Sequence, residues 1–136
     1  MSFSPYKVPY TLQERFSKSV AYFSMEFAVH QPLKIYSGGL GFLAGSHLRS
    51  AYELQQNMIG VGILWKYGYY DQARNQDQTL NVTWHEKEYS FLEDTGIKFQ
   101  VTIHEHPVWV KALYLNPETF KTAPLFLLTT DLPEND

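Results

Sequence analysis

The 136-residue chain contains no cysteine, which excludes disulfides, thiolate chemistry and cysteine-ligated zinc, and accords with an expected cytoplasmic location. Long apolar runs are also missing. No stretch approaches the eighteen or so apolar residues of a membrane span, and Met1 to Tyr10 shows no basic segment followed by an apolar one. The expectation is an untargeted chain with no membrane partner. Positive charge is scarce too: 11 Lys and Arg stand against 14 Asp and Glu, a formal charge of −3 with no basic block. A general affinity for nucleic acid therefore has no electrostatic footing, while neutral sugars remain compatible. Metal is not expected. His104-Glu105-His106 would place two imidazoles on one side of a strand, but the helical pattern of two histidines four apart with an intervening Glu is absent, and so is a third ligand. What the chain has instead is 44% apolar and 16% aromatic residues, enough for a packed core in a single domain.

The stretch with most chemical content is Ile35-Tyr36-Ser37-Gly38-Gly39-Leu40-Gly41-Phe42-Leu43-Ala44-Gly45, a glycine-rich turn running into a helix. Leu40, Leu43, Ala44, Leu48, Ala51 and Leu54 recur at three- and four-residue spacing, which predicts a one-sided helix from about Gly39 or Leu40 to Gln56. Glycine reaches backbone angles closed to other residues and lets a ligand approach the main chain, so Gly38, Gly39 and Gly41 can aim N–H groups at one place. A helix N-terminus leaves about four such groups unpaired and carries roughly half a positive charge, which suits phosphate or negative charge developing in a reaction. The same glycines also describe a plain tight turn. Neither the G-x-G-x-x-G dinucleotide pattern nor a P-loop Gly-Lys-Ser/Thr is present, and Ser37 lacks the G-x-S-x-G surround of a nucleophile elbow. His47, near the apolar helix face, reads as a hydrogen-bonded core histidine.

Along the chain, Met1 to Tyr10 with Pro5 and Pro9 reads as an irregular lead. Thr11 is placed to cap a short helix to Ser19, with Glu14 as its capping-box partner. Val20 to Val29 is almost continuously apolar and reads as a strand covered on both faces, with Glu26 at its carboxyl end, either in a site or anchoring a neighbouring loop. Met58 to Leu64 gives a second strand. Strand, glycine loop, helix and strand make a βαβ unit with a right-handed crossover. Trp65 to Gln72, aromatic with a nearby Asp71, offers a sugar pocket or a packed turn. Ala73 to Asn81 reads as loop or short solvated helix. The alternation of Phe99, Val101 and Ile103, then Val108 to Leu115, predicts an antiparallel pair as an excursion from the parallel sheet, turning at Glu105-His106-Pro107. Leu125 to Thr130 forms a last buried strand ending at Asp131.

Ala21-Tyr22-Phe23-Ser24-Met25-Glu26-Phe27, the glycine loop, His47-Leu48-Arg49-Ser50-Ala51, Gly60-Val61-Gly62-Ile63-Leu64, Gly68-Tyr69-Tyr70-Asp71-Gln72 and Thr130-Asp131-Leu132-Pro133-Glu134-Asn135 occur in an order that resembles the amino-terminal segment of the α-glucan phosphorylases. The resemblance runs from about Val20 to the end. It implies an α/β fold, with residues 1–19 a lead and 20–136 an incomplete Rossmann-like domain of a GT-B glycosyltransferase. The implied reaction removes terminal α-1,4-linked glucose from glycogen, starch or maltodextrin with inorganic phosphate, giving α-glucose 1-phosphate. Gly39, Leu40 and Gly41 then correspond to residues at the reacting centre, and Gly38, Gly39 and Leu40 to those facing phosphate and glucose. Glu26, Tyr70, Asp71 and Gln72 correspond to residues lining or supporting that cleft. Pyridoxal phosphate is implied only for a second domain, so none is expected on this chain, which is expected to be a truncated and inactive piece of a homodimeric parent. Ser46, Gln55-Gln56-Asn57 and Ala28 depart from the family's usual Asp, Gly-Val-Pro and Gly. Two alternatives are a glycogen or starch synthase, disfavoured by Tyr36 and Phe42 where that family has Lys and Asp, and a non-catalytic carbohydrate-binding or regulatory module using Trp65, Tyr69 and Tyr70.

Overall fold

The computed structural model describes residues 8–136; Met1 to Lys7, which include Pro5 of the irregular lead, lie outside the described residues. A five-stranded sheet is built from β1 (Val20–Phe23), β2 (Met58–Ile63), β5 (Glu93–Ile103), β6 (His106–Leu115) and β7 (Leu125–Thr129), in the order β1-β2-β7-β6-β5. Helix α1 (Gly39–Glu53) links β1 to β2, and a separate hairpin, β3 (Asp71–Arg74) and β4 (Leu80–Thr83), follows β2. A single helical turn, α2 (Pro117–Phe120), precedes β7 and is capped by the Asn116 side chain.

β1 and β2 run parallel with Val20 opposite Met58 and Phe23 opposite Val61, and β2 runs parallel to β7 with Gly60 opposite Leu125. The expected strand–helix–strand unit is therefore present. The hairpin β5–β6, expected as an excursion, is instead an integral half of the same sheet, because β6 pairs antiparallel with β7, Leu113 opposite Leu127. β7 has a parallel neighbour on one side and an antiparallel neighbour on the other. The β5–β6 turn lies at His104 and Glu105, whose φ angles of 47° and 68° are those of a two-residue hairpin loop. His106 and Pro107 thus belong to β6, and the two imidazoles do not share a strand. Among the described residues no cluster of three or more His, Cys, Asp or Glu is placed to hold a metal.

Other expectations change for local reasons. The first strand stops at Phe23, because the Ser24 hydroxyl donates to the Glu26 carbonyl while the Glu26 N–H donates to the Ser24 oxygen, a side-chain turn that competes with the ladder. Having one neighbour only, β1 is an exposed edge, with Phe23 72% accessible. The apolar run continues as irregular chain whose Phe27, Val29, Leu33 and Ile35 plug the core. Thr11 does not cap the short helix; a 3-10 turn at Glu14–Phe16 starts from Gln13 without a side-chain cap bond. The polar stretch from Ala73 is the β3–β4 hairpin, its turn held by Asp77, which accepts from the Thr79 N–H at 3.0 Å and hydroxyl at 2.6 Å.

α1 sits close to its predicted limits, but the side it buries is rotated. Gly41, Ala44, Gly45, Leu48 and Ala51 face the core, whereas Leu40, Leu43 and Leu54 are exposed. The two glycines bring the helix against the chain at Ala28, whose N–H donates to the Gly41 carbonyl at 2.9 Å. His47, expected in the core, is exposed, its ring 4.8 Å from that of Tyr22. The helix meets the sheet over Gly60 and Gly62, where an added Cβ would lie 2.9 Å from Leu48 and 2.8 Å from Phe27. Leu48, Leu115, Leu125 and Leu127, all fully buried, complete this layer.

These contacts separate glycines needed by the fold from those that are not. A methyl group at Gly45 would enter the carbonyl oxygen of Ala28, backbone that has no free end to move, whereas one at Gly39 meets nothing within 4 Å. Gly45→Ala is expected to lower stability by about 1–3 kcal/mol through overpacking. Gly39→Ala should leave stability unchanged or raise it by about 0.5–1 kcal/mol, as alanine does in a compatible helical position. Urea unfolding of both variants checks this, and a Gly39→Ala loss as large as that of Gly45→Ala would refute it.

Candidate functional site

The loop between β1 and α1 is organised by one carboxylate. The Ser37 N–H donates to Glu26 Oε2 at 3.2 Å and the Ser37 hydroxyl to Oε1 at 2.8 Å. The Ser37 hydroxyl, more than any other contact, holds the Glu26 carboxyl below its ordinary range, with the N–H groups of Ser37, Gly38 and Gly41 adding to it. The positive end of α1 therefore already faces a resident negative charge. Gly41 makes room for it: a Cβ there would stand 2.5 Å from Tyr36 Cβ and 3.1 Å from Glu26 Oε2.

Gly38 and Gly39 are different. Gly38 precedes the helix with φ −161°, extended backbone that any residue adopts, and positive-φ glycines are found at Gly68 and Gly96 rather than in this loop. The expectation that Gly38, Gly39 and Gly41 serve through special backbone angles is thus corrected. An added Cβ at Gly38 or Gly39 would meet open space. The N–H groups of Gly39 and Leu40 have no hydrogen-bond partner among the described residues. The loop presents unpaired donors beside bare glycine backbone, a surface a small anion can approach closely.

Beside it lies a cavity of about 170 Å³, lined by Glu26, Lys34, Tyr36, Ser37, Trp65 and Tyr69 among others. Trp65 Nε1 donates to the Met25 carbonyl at 3.2 Å, tying the exit of β2 to the exit of β1. Gly68, at φ +62°, packs on the Lys34 carbonyl, which accepts from the Tyr69 N–H at 3.0 Å. Tyr70 and Asp71 do not line this cavity. The Tyr70 ring stacks on Tyr69 at 4.4 Å and meets Trp84 edge-on at 5.8 Å, and Asp71, at the start of β3, is ion-paired with Lys87, which lowers its carboxyl. Gln72 pairs with Val82 in the hairpin. The sequence pattern singles out neither Ser37 as the partner of Glu26 nor Lys66, which bridges Asp131 at 3.0 Å and Glu86 at 3.5 Å. Spacing carries no signal for either, since Ser37 and Glu26 are eleven positions apart.

The chain is 34% identical to the glycogen phosphorylase of Mycobacterium tuberculosis across 86% of its own length, and 32% identical to the maltodextrin phosphorylase of Thermococcus litoralis across 89%. It is homologous to a segment of these phosphorylases. It is also 57% identical, over 119 residues, to an uncharacterised protein of Methanocaldococcus jannaschii. No protein-family model matches the chain. The homologous segment spans between 14% and 23% of the length of these relatives. The mixed sheet with its parallel β1-β2-β7 half is consistent with part of a phosphorylase amino-terminal domain. Among the described residues no helix is long and apolar enough to cross a membrane.

Because its carboxyl is held low in the folded loop, Glu26 contributes stability that is complete above the ordinary carboxylate range and is lost as pH falls through its folded value. The melting-temperature gap between the unchanged chain and Glu26→Gln is therefore expected to be largest near pH 7 and to close as the solution is taken below about pH 4. A gap independent of pH would show that the charge does not hold the loop.

Proposed function

We propose that this segment supplies the phosphate- and glucose-facing loop of an α-glucan phosphorylase. In that reading the parent enzyme transfers the terminal α-1,4-linked glucose of a glucan to inorganic phosphate and releases α-glucose 1-phosphate. The observation that carries it is the pair of unpartnered N–H groups at Gly39 and Leu40, opening on bare glycine backbone within a phosphorylase-homologous segment. Fixed backbone donors at a helix terminus hold a phosphate oxygen in the ground state. They stabilise it further as negative charge builds when the glycosidic bond breaks, without reorganising. Gly39 and Leu40 carry this role, and Glu26, taking the N–H groups of Ser37, Gly38 and Gly41, holds their loop. Tyr70 and Asp71 act at one remove, through Tyr69 and the hairpin stem.

The cofactor of this reading, pyridoxal phosphate, supplies a phosphate for proton transfer when bound to a lysine of a second domain. Lys66 and Lys87 do not suit such a bond. Schiff-base formation needs a neutral amine, whereas Lys66 is raised above its usual range, first by its hydrogen bond to Asp131, and Lys87 is paired with Asp71. Residues 20–136 are read as part of an amino-terminal GT-B domain in a cytoplasmic, homodimeric parent. A carbohydrate-binding role without turnover has its own support in the partly exposed rings of Trp65 and Tyr69 at the cavity beside the loop.

Titrating the chain with inorganic phosphate while recording backbone amide spectra is expected to move Gly38, Gly39, Leu40 and Gly41 most. Gly39→Ala should abolish those shifts without lowering the melting temperature. Unmoved loop amides, or shifts centred elsewhere, would refute the phosphate assignment. The chain mixed with maltodextrin, phosphate and pyridoxal phosphate is expected to form no glucose 1-phosphate, and measured turnover would refute the division of labour.

A further inference from the structure

Another cavity, of about 330 Å³, shares Tyr36 with the smaller one beside the glycine loop. It lies between the irregular chain at residues 28–31 and α1, which contributes Phe42 and Arg49. Residues seven apart share a helix stripe, and at 1.5 Å per residue this pair spans about 10 Å, long enough to flank a ligand of sugar size. Phe42 is 60% accessible, and the Tyr36 ring meets it edge-on with centroids 5.5 Å apart. The two rings give the cavity an apolar wall.

The polar part of the lining is Arg49, His30, Gln31 and Tyr36, with no Asp or Glu among its residues. Arg49 Nη2 donates to the Val29 carbonyl, which fixes the guanidinium at the cavity and leaves the other donors of its planar fork unused. Among the described residues Arg49 makes no ion pair, whereas Lys66, Lys87, Lys98 and Lys111 each have an acid. The His30 ring is set by Phe91 and Phe120, both edge-on, at 5.2 and 5.0 Å. Its nitrogens, the Gln31 amide and the Tyr36 hydroxyl take part in no hydrogen bond among the described residues. A permanent cation, an imidazole able to take up a proton and further unused polar groups around an acid-free space select an oxyanion, and the arginine fork matches two oxygens of a phosphate. Inorganic phosphate alone would leave the wall of Phe42 and Tyr36 unused, so the fitting ligand carries its phosphate on a larger body.

We propose that this cavity binds a phosphomonoester of sugar size, its phosphate on Arg49 and His30 and its body against Phe42 and Tyr36. The site is distinct from the glycine loop, which offers backbone donors in place of a guanidinium, and it stands independently of the phosphate reading given for that loop.

The test is titration of the chain with ribose 5-phosphate, followed in amide spectra, with ribose as the uncharged control. Ribose 5-phosphate is expected to give saturable shifts at Val29, His30, Gln31 and Arg49, and ribose none. Arg49→Met removes the cation but also its bond to the Val29 carbonyl, so Gln31→Glu serves as a second variant that keeps this bond and sets a carboxylate in the lining at an exposed position. Each is expected to weaken binding by roughly tenfold or more, the loss of a charge-assisted hydrogen bond, and Gln31→Glu to do so with the melting temperature within a few degrees. Absent shifts, an equal response to ribose, shifts centred on Gly39 and Leu40 in place of the cavity, or affinity unchanged in Gln31→Glu would each overturn the proposal. The response of Gly39 and Leu40 to inorganic phosphate is expected to persist in Gln31→Glu, and Gly39→Ala to retain the ribose 5-phosphate shifts, so each reading can fail without the other.

Discussion

The close approach of α1 to the chain at Ala28 constrains the rest of the molecule. Gly45 has no side chain to hold the helix away from the Ala28 carbonyl, and Gly41 accepts the Ala28 N–H through its own carbonyl. Interior packing leaves little slack, so a helix seated this deep needs small residues on the sheet as well, and β2 provides them at Gly60 and Gly62. The bulky residues displaced from the contact reappear where there is space, with Phe27, Leu33 and Ile35 filling the ends of the layer. One tight seam therefore determines which face of α1 is inward and how the N-terminus of α1 is presented.

That N-terminus is electrostatically occupied before any ligand arrives. Glu26 takes the Ser37 hydroxyl and N–H, and Gly41 must be glycine for the carboxylate to come in. The remaining donors, at Gly39 and Leu40, stand outside this pairing. A carboxylate behind the loop partly cancels the field of the helix end, so in the proposed reading an anion would be held by directed N–H groups more than by net charge. This distinguishes the loop from a basic phosphate clamp, in keeping with a chain that carries more acidic than basic residues.

Much of this architecture is readable from the sequence where a period or a breaker carries it. α1, β2, β7 and the parallel β1–β2 pairing follow from apolar spacing and the glycine punctuation. The rotation of α1 is not readable, because periodicity counts leucines and treats glycine as neutral, whereas close packing makes Gly41 and Gly45 the inner face. β1 is overextended in the sequence pattern because its apolar run continues past Phe23 into chain that is buried without being a strand. The β3–β4 hairpin is hidden by polar composition, since a two-stranded arm exposed on both sides has no inward face to reveal its alternation. Within the site, the glycines are legible as a cluster, but the division between Gly41, held by Glu26, and Gly39, which nothing in the fold requires, depends on contacts between segments distant in sequence.

The position of β7 has a consequence for how the chain assembles. Leu125–Thr129 sits between β2 and β6, so β2 has one permanent neighbour until a strand more than sixty positions later is available, Ile63 pairing with Leu128. At translation rates of roughly 5–20 residues per second, the inner edge of β2 stays open for about 3 to 13 seconds after it emerges. The antiparallel pair β5–β6, contiguous in sequence, closes its two-residue loop on a microsecond scale in the meantime. β7 then finds both of its partners waiting, and its insertion is the event that turns two independent pieces of sheet into one.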